Sequence, residues 1–322
     1  MAPEGTEAMH VLVAGATGFV GQAVVKEALA REHQVFAMVR SESDSAFPVD
    51  PEARGRLTTV PWGAAADALR EDFGIEPGAW VVNAAGLLRE RPGLDPHRVH
   101  GDIARMVVAQ AEGLGADRLV HFGPLLSPTG DAFIHSKAEA ERIVRAGRSP
   151  WSVVRAGPVY GPGDELLDEV GAWMVRSPAI PRFLERVPLQ PVWVGDLAVA
   201  LLEARPGDQE VGGERLLWGE LLDLCARHAG RKLLGPTLAD DTVRRLARAF
   251  GHRPMFMSLV PFTEAGFMRH LAGYEVKENM LAELLGRPPR TVSDYLAKDW
   301  PYRKAPDRES GSVEEEEETP VR

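Results

Sequence analysis

Glycine recurs at every third position in Ala14-Gly15-Ala16-Thr17-Gly18-Phe19-Val20-Gly21. The chemistry open to such a stretch is anion binding through the main chain. Glycine lets a turn tighten and lets backbone N–H groups come close to a phosphate. The flanking residues support that use. Met9-His10-Val11-Leu12-Val13 reads as a short buried strand, and residues 22–30 carry Val24, Val25, Ala28 and Leu29 at helical spacing. Strand, turn and helix in this order put the positive end of a helix dipole behind the N–H groups, as a dinucleotide pyrophosphate requires. Cofactor contacts are therefore expected from Gly15, Thr17, Gly18, Phe19, Val20 and Gly21.

Two further stretches extend this reading. Gln34-Val35-Phe36-Ala37-Met38-Val39 is a second strand, and no acidic residue stands between Val35 and Ser41 to accept bonds from ribose hydroxyls. Arg40 stands there instead, and a guanidinium can hold a 2′-phosphate through paired charge-assisted bonds, so NADP(H) is expected over NAD(H). Trp80-Val81-Val82-Asn83-Ala84-Ala85-Gly86 reads as another strand. Its last residues, Ala84, Ala85 and Gly86, are small enough for a flat cofactor to lie against the backbone.

These segments sit in a longer alternation. Residues 57–60, 118–122 and 151–155 read as strands, and residues 64–73, 99–113 and 132–146 as helices. The pattern predicts an α/β fold, a Rossmann-type doubly wound parallel sheet, over residues 8–163. Past Asp164 the alternation stops, and residues 164–306 read as a smaller, mainly helical portion for substrate or partner. Helices are expected at 166–175, 197–204, 220–230, 237–250 and 277–285, with Asp196 as the N-cap of the second of these. Residues 191–204 are expected to pack back on the first domain. Met255, Phe256, Met257, Leu259 and Phe262 read as core or pocket wall, and residues 307–322 as a disordered acidic tail.

The totals bound the partners. The chain has 322 residues, 44% hydrophobic, enough for a sizeable core. Net charge is −10, and the run Glu314 to Glu318 supplies much of it, with no basic stretch for nucleic acid. The one cysteine, Cys225, lies in an apolar pattern and reads as a buried small residue in a reducing cytoplasm. No signal-peptide layout and no membrane-spanning run is read in the sequence, so a cytoplasmic location is expected. The nine histidines make no metal-ligand pattern: His97 and His100 are close together but lack acidic or cysteine partners.

Gly15-Ala16-Thr17-Gly18-Phe19-Val20-Gly21, Val99-His100, Ser136-Lys137-Ala138-Glu139, Val159-Tyr160-Gly161-Pro162 and Pro191-Val192-Trp193-Val194-Gly195-Asp196 occur in that order. Together they resemble the extended or atypical short-chain dehydrogenase/reductases. The branch they are most similar to is that of the NADPH-holding accessory subunit of complex I and its bacterial relatives. The resemblance implies cofactor contacts from Pro158, Val159 and Lys137. It also implies a proton relay of Tyr, Lys and Ser, the Tyr four residues before the Lys so that both share a helix face. Here Phe133 occupies the Tyr position and Gly123 the Ser position, leaving Lys137 as the one catalytic residue of the three. His135 is expected to face away from the cleft, while His121 or the loop residue Ser127 could lie nearer to it.

Two functions follow from this composition. One is an NADP(H)-binding sensor, assembly factor or accessory protein that holds the cofactor without turnover. The other is an active NADPH-dependent oxidoreductase or epimerase-type enzyme on a small carbonyl or sugar-nucleotide substrate, since hydride transfer needs positioning above all. A third reading is a protein-interaction module working through the acidic tail.

Overall fold

The computed structural model describes residues 8–40, 47–86, 96–125, 132–164, 166–177, 181–233, 237–250, 268 and 270–304. The expectations for Ser127, for residues 255–262 and for the acidic tail lie outside these residues. In chain order the first half comprises β1 (His10–Ala14), α1 (Phe19–Ala30), β2 (Gln34–Val39), β3 (Leu57–Pro61), α2 (Ala66–Glu71) and β4 (Trp80–Asn83). It continues with α3 (Pro96–Gly113), β5 (Arg118–Pro124), α4 (Ala132–Ala146) and β6 (Trp151–Ala156). The second half begins with β7 (Val159–Tyr160), α5 (Leu167–Arg176), β8 (Pro188–Leu189), β9 (Val192–Trp193), α6 (Val194–Leu202) and β10 (Gly207–Val211). After these come β11 (Leu216–Leu217), α7 (Trp218–His228), α8 (Asp240–Phe250), α9 (Leu281–Leu285) and α10 (Val292–Lys298).

Seven strands form one parallel sheet in the order β3-β2-β1-β4-β5-β6-β10. This is the doubly wound Rossmann arrangement, with its switch in strand order between β1 and β4. The central strands are apolar on both faces because both are covered by helices. On one face Val11, Val13 and Val82 pack with Val24, Val25 and Ala28 of α1 and with Leu197, Ala198 and Leu201 of α6. On the other face Leu12, Phe36, Met38 and Val81 pack with Leu69 of α2, Ala104 and Val107 of α3, and Ala140 and Val144 of α4.

The second half has its own core, which holds Trp173, Phe183, Trp218, Tyr295, Trp300 and the buried Cys225. It also contributes to the sheet. β10 pairs with β6 from Gly207↔Ser152 to Val211↔Ala156. This strand is absent from the sequence reading because an edge strand paired on one side needs no apolar alternation, and Gly-Asp-Gln-Glu-Val shows none.

Asp196 corrects a second expectation. The chain passes from β9 straight into α6, so Trp193 is the N-cap and Asp196 lies fully buried in the first turn. Its carboxylate accepts from Arg287 Nη2 and from the Arg290 N–H, each at 2.6 Å, and so fastens residues 287–290 to α6.

A buried charge group ties α4 to the sheet. Glu141 of α4 is fully buried and accepts from Arg155 of β6 at 2.6 Å and from Arg145 at 2.8 Å. Asp208 of β10 accepts from both arginines. Removing one partner of such a group leaves an uncompensated charge away from water. Glu141→Gln is therefore expected to cost about 3 kcal/mol in urea-induced unfolding, whereas Glu139→Gln, on an exposed pair with Arg142, should leave the unfolding midpoint essentially unchanged.

Candidate functional site

The site lies at the carboxyl ends of β1 and β4. Gly15 has φ +80°, and a Cβ on it would stand 2.6 Å from the Ala85 Cα, so the turn after β1 presses on the chain leaving β4. The Gly18 N–H donates to Gly15 O at 2.9 Å. A Cβ on Gly21 would stand 2.0 Å from the same carbonyl oxygen, so α1 packs directly on the turn. α1 starts at N-cap Gly18 with no side-chain cap and no acidic residue in its first turn. Its first-turn N–H groups therefore have no intrahelical partner and face where an anion can bind. Thr17, Phe19 and Val20 are half-buried beside them. This glycine cradle and open helix end fit a dinucleotide pyrophosphate.

Ala84 and Ala85 continue from β4 on main-chain and amide bonds. The Ala84 N–H donates to Ala14 O at 3.0 Å, and the Ala85 N–H to Asn83 Oδ1 at 3.2 Å. That orientation of the amide turns Asn83 Nδ2 to His121 Nδ1, 3.0 Å away. Nδ1 accepts, so the ring proton of neutral His121 is on Nε2. Burial, followed by the positive charges of Lys137 and other neighbours, pushes His121 down to about 3. The sequence allowed His121 to be near the site; the structure puts it under the site, 1% exposed and unable to carry a second proton at neutral pH.

Lys137, on α4, reaches up to this edge. Its Nζ donates to Ala85 O at 3.5 Å, and a Cβ on Gly86 would stand 2.7 Å from that Nζ and 3.5 Å from His100 Nε2. Two nitrogens from two helices thus close on one point above a glycine that is itself exposed. Burial lowers Lys137 to about 8, while Glu141 one turn on opposes the shift. Phe133 is half-buried, its ring edge-on to the His100 imidazole with centroids 5.6 Å apart. A Cβ on Gly123 would meet Glu141 Oε1 at 3.1 Å, so a serine there would crowd the buried carboxylate.

The remaining candidates take separate places. Arg40 is exposed immediately beyond β2, the neighbour of β1 in the sheet. Pro158 and Val159 follow β6 and are tied to β9, with the Val192 N–H donating to Pro158 O at 2.8 Å. The next turn returns toward α1: a Cβ on Gly161 would stand 3.1 Å from the Trp193 ring and 3.4 Å from that of Phe19. His135 is exposed, as its helical position requires. Among the described residues no group of three or more His, Cys, Asp or Glu could hold a metal ion, and no helix is long and apolar enough to cross a membrane. Sequence reasoning weighed His100 as a metal ligand and counted Val99-His100 in the family resemblance, but gave it no place at the site. Its place beside Phe133 and Lys137 depends on α3 packing against α4, for which no local pattern exists.

Residues 15–165 match the NAD(P)H-binding family. The chain carries an NAD(P)H-binding domain. The match begins at the first glycine of the turn and runs past α4 and β6, so it contains Lys137 and the paired strand ends. The chain is 27% identical over 194 residues to a ceramide reductase of Caulobacter vibrioides, covering 60% of this chain and 59% of that protein. It is 28% identical over 201 residues to a 2-alkyl-3-oxoalkanoate reductase of Stenotrophomonas maltophilia, covering 55% and 56%. It thus spans less than two thirds of the length of the curated relatives it matches. A nucleoside-diphosphate-sugar epimerase of Staphylococcus aureus superposes with TM-score 0.66 at 15% identity, over 90% of this chain and 100% of that one, a likeness of fold.

The buried histidine makes the NAD(P)H-binding domain sensitive to acid. The unfolded chain takes up a proton at His121 near pH 6.5 and the folded chain does not, so stability falls as pH drops through that value. Between pH 7 and pH 5 the wild type should lose about 2 kcal/mol more than His121→Asn does, read from paired denaturant titrations.

Proposed function

We propose that this chain is an NAD(P)H-dependent reductase of a ketone substrate and takes NADP(H) in preference to NAD(H). The observation that carries the reading is the Lys137 amine, 5% exposed, brought to the small-residue edge of β4 beside the uncapped end of α1. A bound reduced dinucleotide would supply the hydride. Gly15, Thr17, Gly18, Phe19, Val20 and Gly21 would hold its pyrophosphate, Arg40 its 2′-phosphate, and Ala84, Ala85, Gly86, Pro158 and Val159 its flat faces. Lys137 would hold the ribose next to the nicotinamide. Two curated relatives that are named as reductases, one of them for an oxoalkanoate, support carbonyl chemistry over sugar epimerisation. The half-buried Phe19 and Trp193 rings near Gly161 give this end of the cleft an apolar wall suited to such a substrate.

Phe133 and Gly123 favour a second reading, in which the same site holds NADP(H) without turnover and the protein serves as a sensor or accessory partner, as in the complex I branch it resembles. Nucleotide released by heat and identified by mass, followed by NADPH oxidation over a panel of ketones, separates the two. Bound NADP(H) with ketone-dependent oxidation is the expected result. Binding without turnover selects the accessory reading, and no binding at micromolar nucleotide overturns both.

Arg40 sets the cofactor preference in this proposal. Arg40→Ala should raise the NADPH Kd about tenfold, roughly 1.4 kcal/mol, and leave NADH binding unchanged by calorimetric titration. Equal effects on the two cofactors would place the 2′-phosphate elsewhere.

A further inference from the structure

A reductase with phenylalanine in the tyrosine position still has to deliver a proton to the carbonyl oxygen. The chain has four tyrosines, and all of them, Tyr160, Tyr274, Tyr295 and Tyr302, pack in or against the core of the second half. None can replace the missing phenol. His121 is tied to Asn83 beneath the site, and His135 is exposed on α4. His100 has the required place. Its ring stands edge-on to Phe133, and its Nε2 shares with Lys137 Nζ the point above Gly86.

The ring is also held in a defined state. Ser136 Oγ donates its one hydrogen to Phe133 O at 2.7 Å, and His100 Nδ1 lies 2.7 Å from Ser136 Oγ. With the hydroxyl hydrogen committed to the carbonyl, Nδ1–H donates to Ser136 Oγ, which leaves Nε2 as the other ring nitrogen. That is the nitrogen facing the point above Gly86.

We propose that His100 is the proton donor for carbonyl reduction in this chain, with Ser136 as the positioning residue that keeps its exchangeable proton on Nε2. The assignment rests on the reductase reading. The carbonyl carbon receives the hydride that a reduced dinucleotide supplies, and the C=O π pair moves to oxygen. That oxygen takes the proton from Nε2 of the imidazolium, giving an alcohol and leaving neutral His100 with its remaining hydrogen on Nδ1. A proton from solvent restores it for the next turnover. Lys137 keeps its binding role.

The test pairs turnover with two measurements that do not need it. His100→Gln is expected to lower kcat for ketone reduction about 100-fold while the NADPH Kd stays within about twofold, which also shows that the variant folds. Phe133→Tyr in the His100→Gln background should recover at least tenfold of that loss by restoring a phenol next to Lys137. Long-range ¹H–¹⁵N spectra of the wild type should show neutral His100 with hydrogen on Nδ1, and Ser136→Ala should shift it toward the Nε2–H form. Ketone turnover that survives His100→Gln, or a neutral wild-type ring with hydrogen on Nε2, overturns the assignment to His100 and leaves the reductase reading intact. A wild type that binds NADPH and reduces no ketone overturns the reductase reading, and the assignment falls with it.

Discussion

Everything at the cofactor edge depends on a contact that admits no side chain. α1 lies so close to the turn after β1 that a single methyl on Gly21 would reach the Gly15 carbonyl oxygen, and one on Gly15 would reach the chain beyond β4. These contacts set where the helix begins and aim its unpaired N–H groups over the ends of β1 and β4. They also bring the turn against Ala85, whose carbonyl oxygen meets Lys137 from below. The anion cradle and the amine at Ala85 are thus two sides of the same close packing.

The face of the sheet under α3 and α4 carries an unusual amount of polarity for an interior. Glu141 with its arginines, His121 with Asn83, and His100 with Ser136 all lie there, and Lys137 is buried among them. Partners satisfy the Glu141 carboxylate and the Nδ1 atoms of both imidazoles, whereas the buried His121 Nε2 has no hydrogen-bond partner among the described residues. The carboxylate one turn from Lys137 limits how far burial lowers the amine. The same carboxylate fills the space beside Gly123, so in this chain the absence of a serine is part of how the charge group fits.

With phenylalanine at 133 and glycine at 123, the site still carries polar groups. They are an amine at about 8 and an imidazole of fixed orientation on the point above Gly86. In the proposed function, holding a cofactor uses only the first, whereas reducing a carbonyl uses both, because the developing alkoxide must be given a proton. The two functional readings therefore separate at His100, and not at the glycine turn, which serves both.

Local pattern determined a good deal by itself. The glycine turn between strand and helix, the six parallel strands and the absence of an acid at the end of β2 are legible because each depends on neighbours in sequence. Buried parallel strands read as apolar runs, and a pyrophosphate turn reads as glycine spacing. Phe133 and Gly123 were likewise visible as departures from a relay. Only the tertiary structure decided that polar Gly207–Val211 completes the sheet, that Asp196 anchors residues 287–290, and that His100 meets Phe133 and approaches Gly86 as Lys137 does. Each of these joins side chains or strands far apart in the chain. Such pairing is chosen by packing and by buried polar groups finding partners, and neither leaves a periodic trace in the sequence.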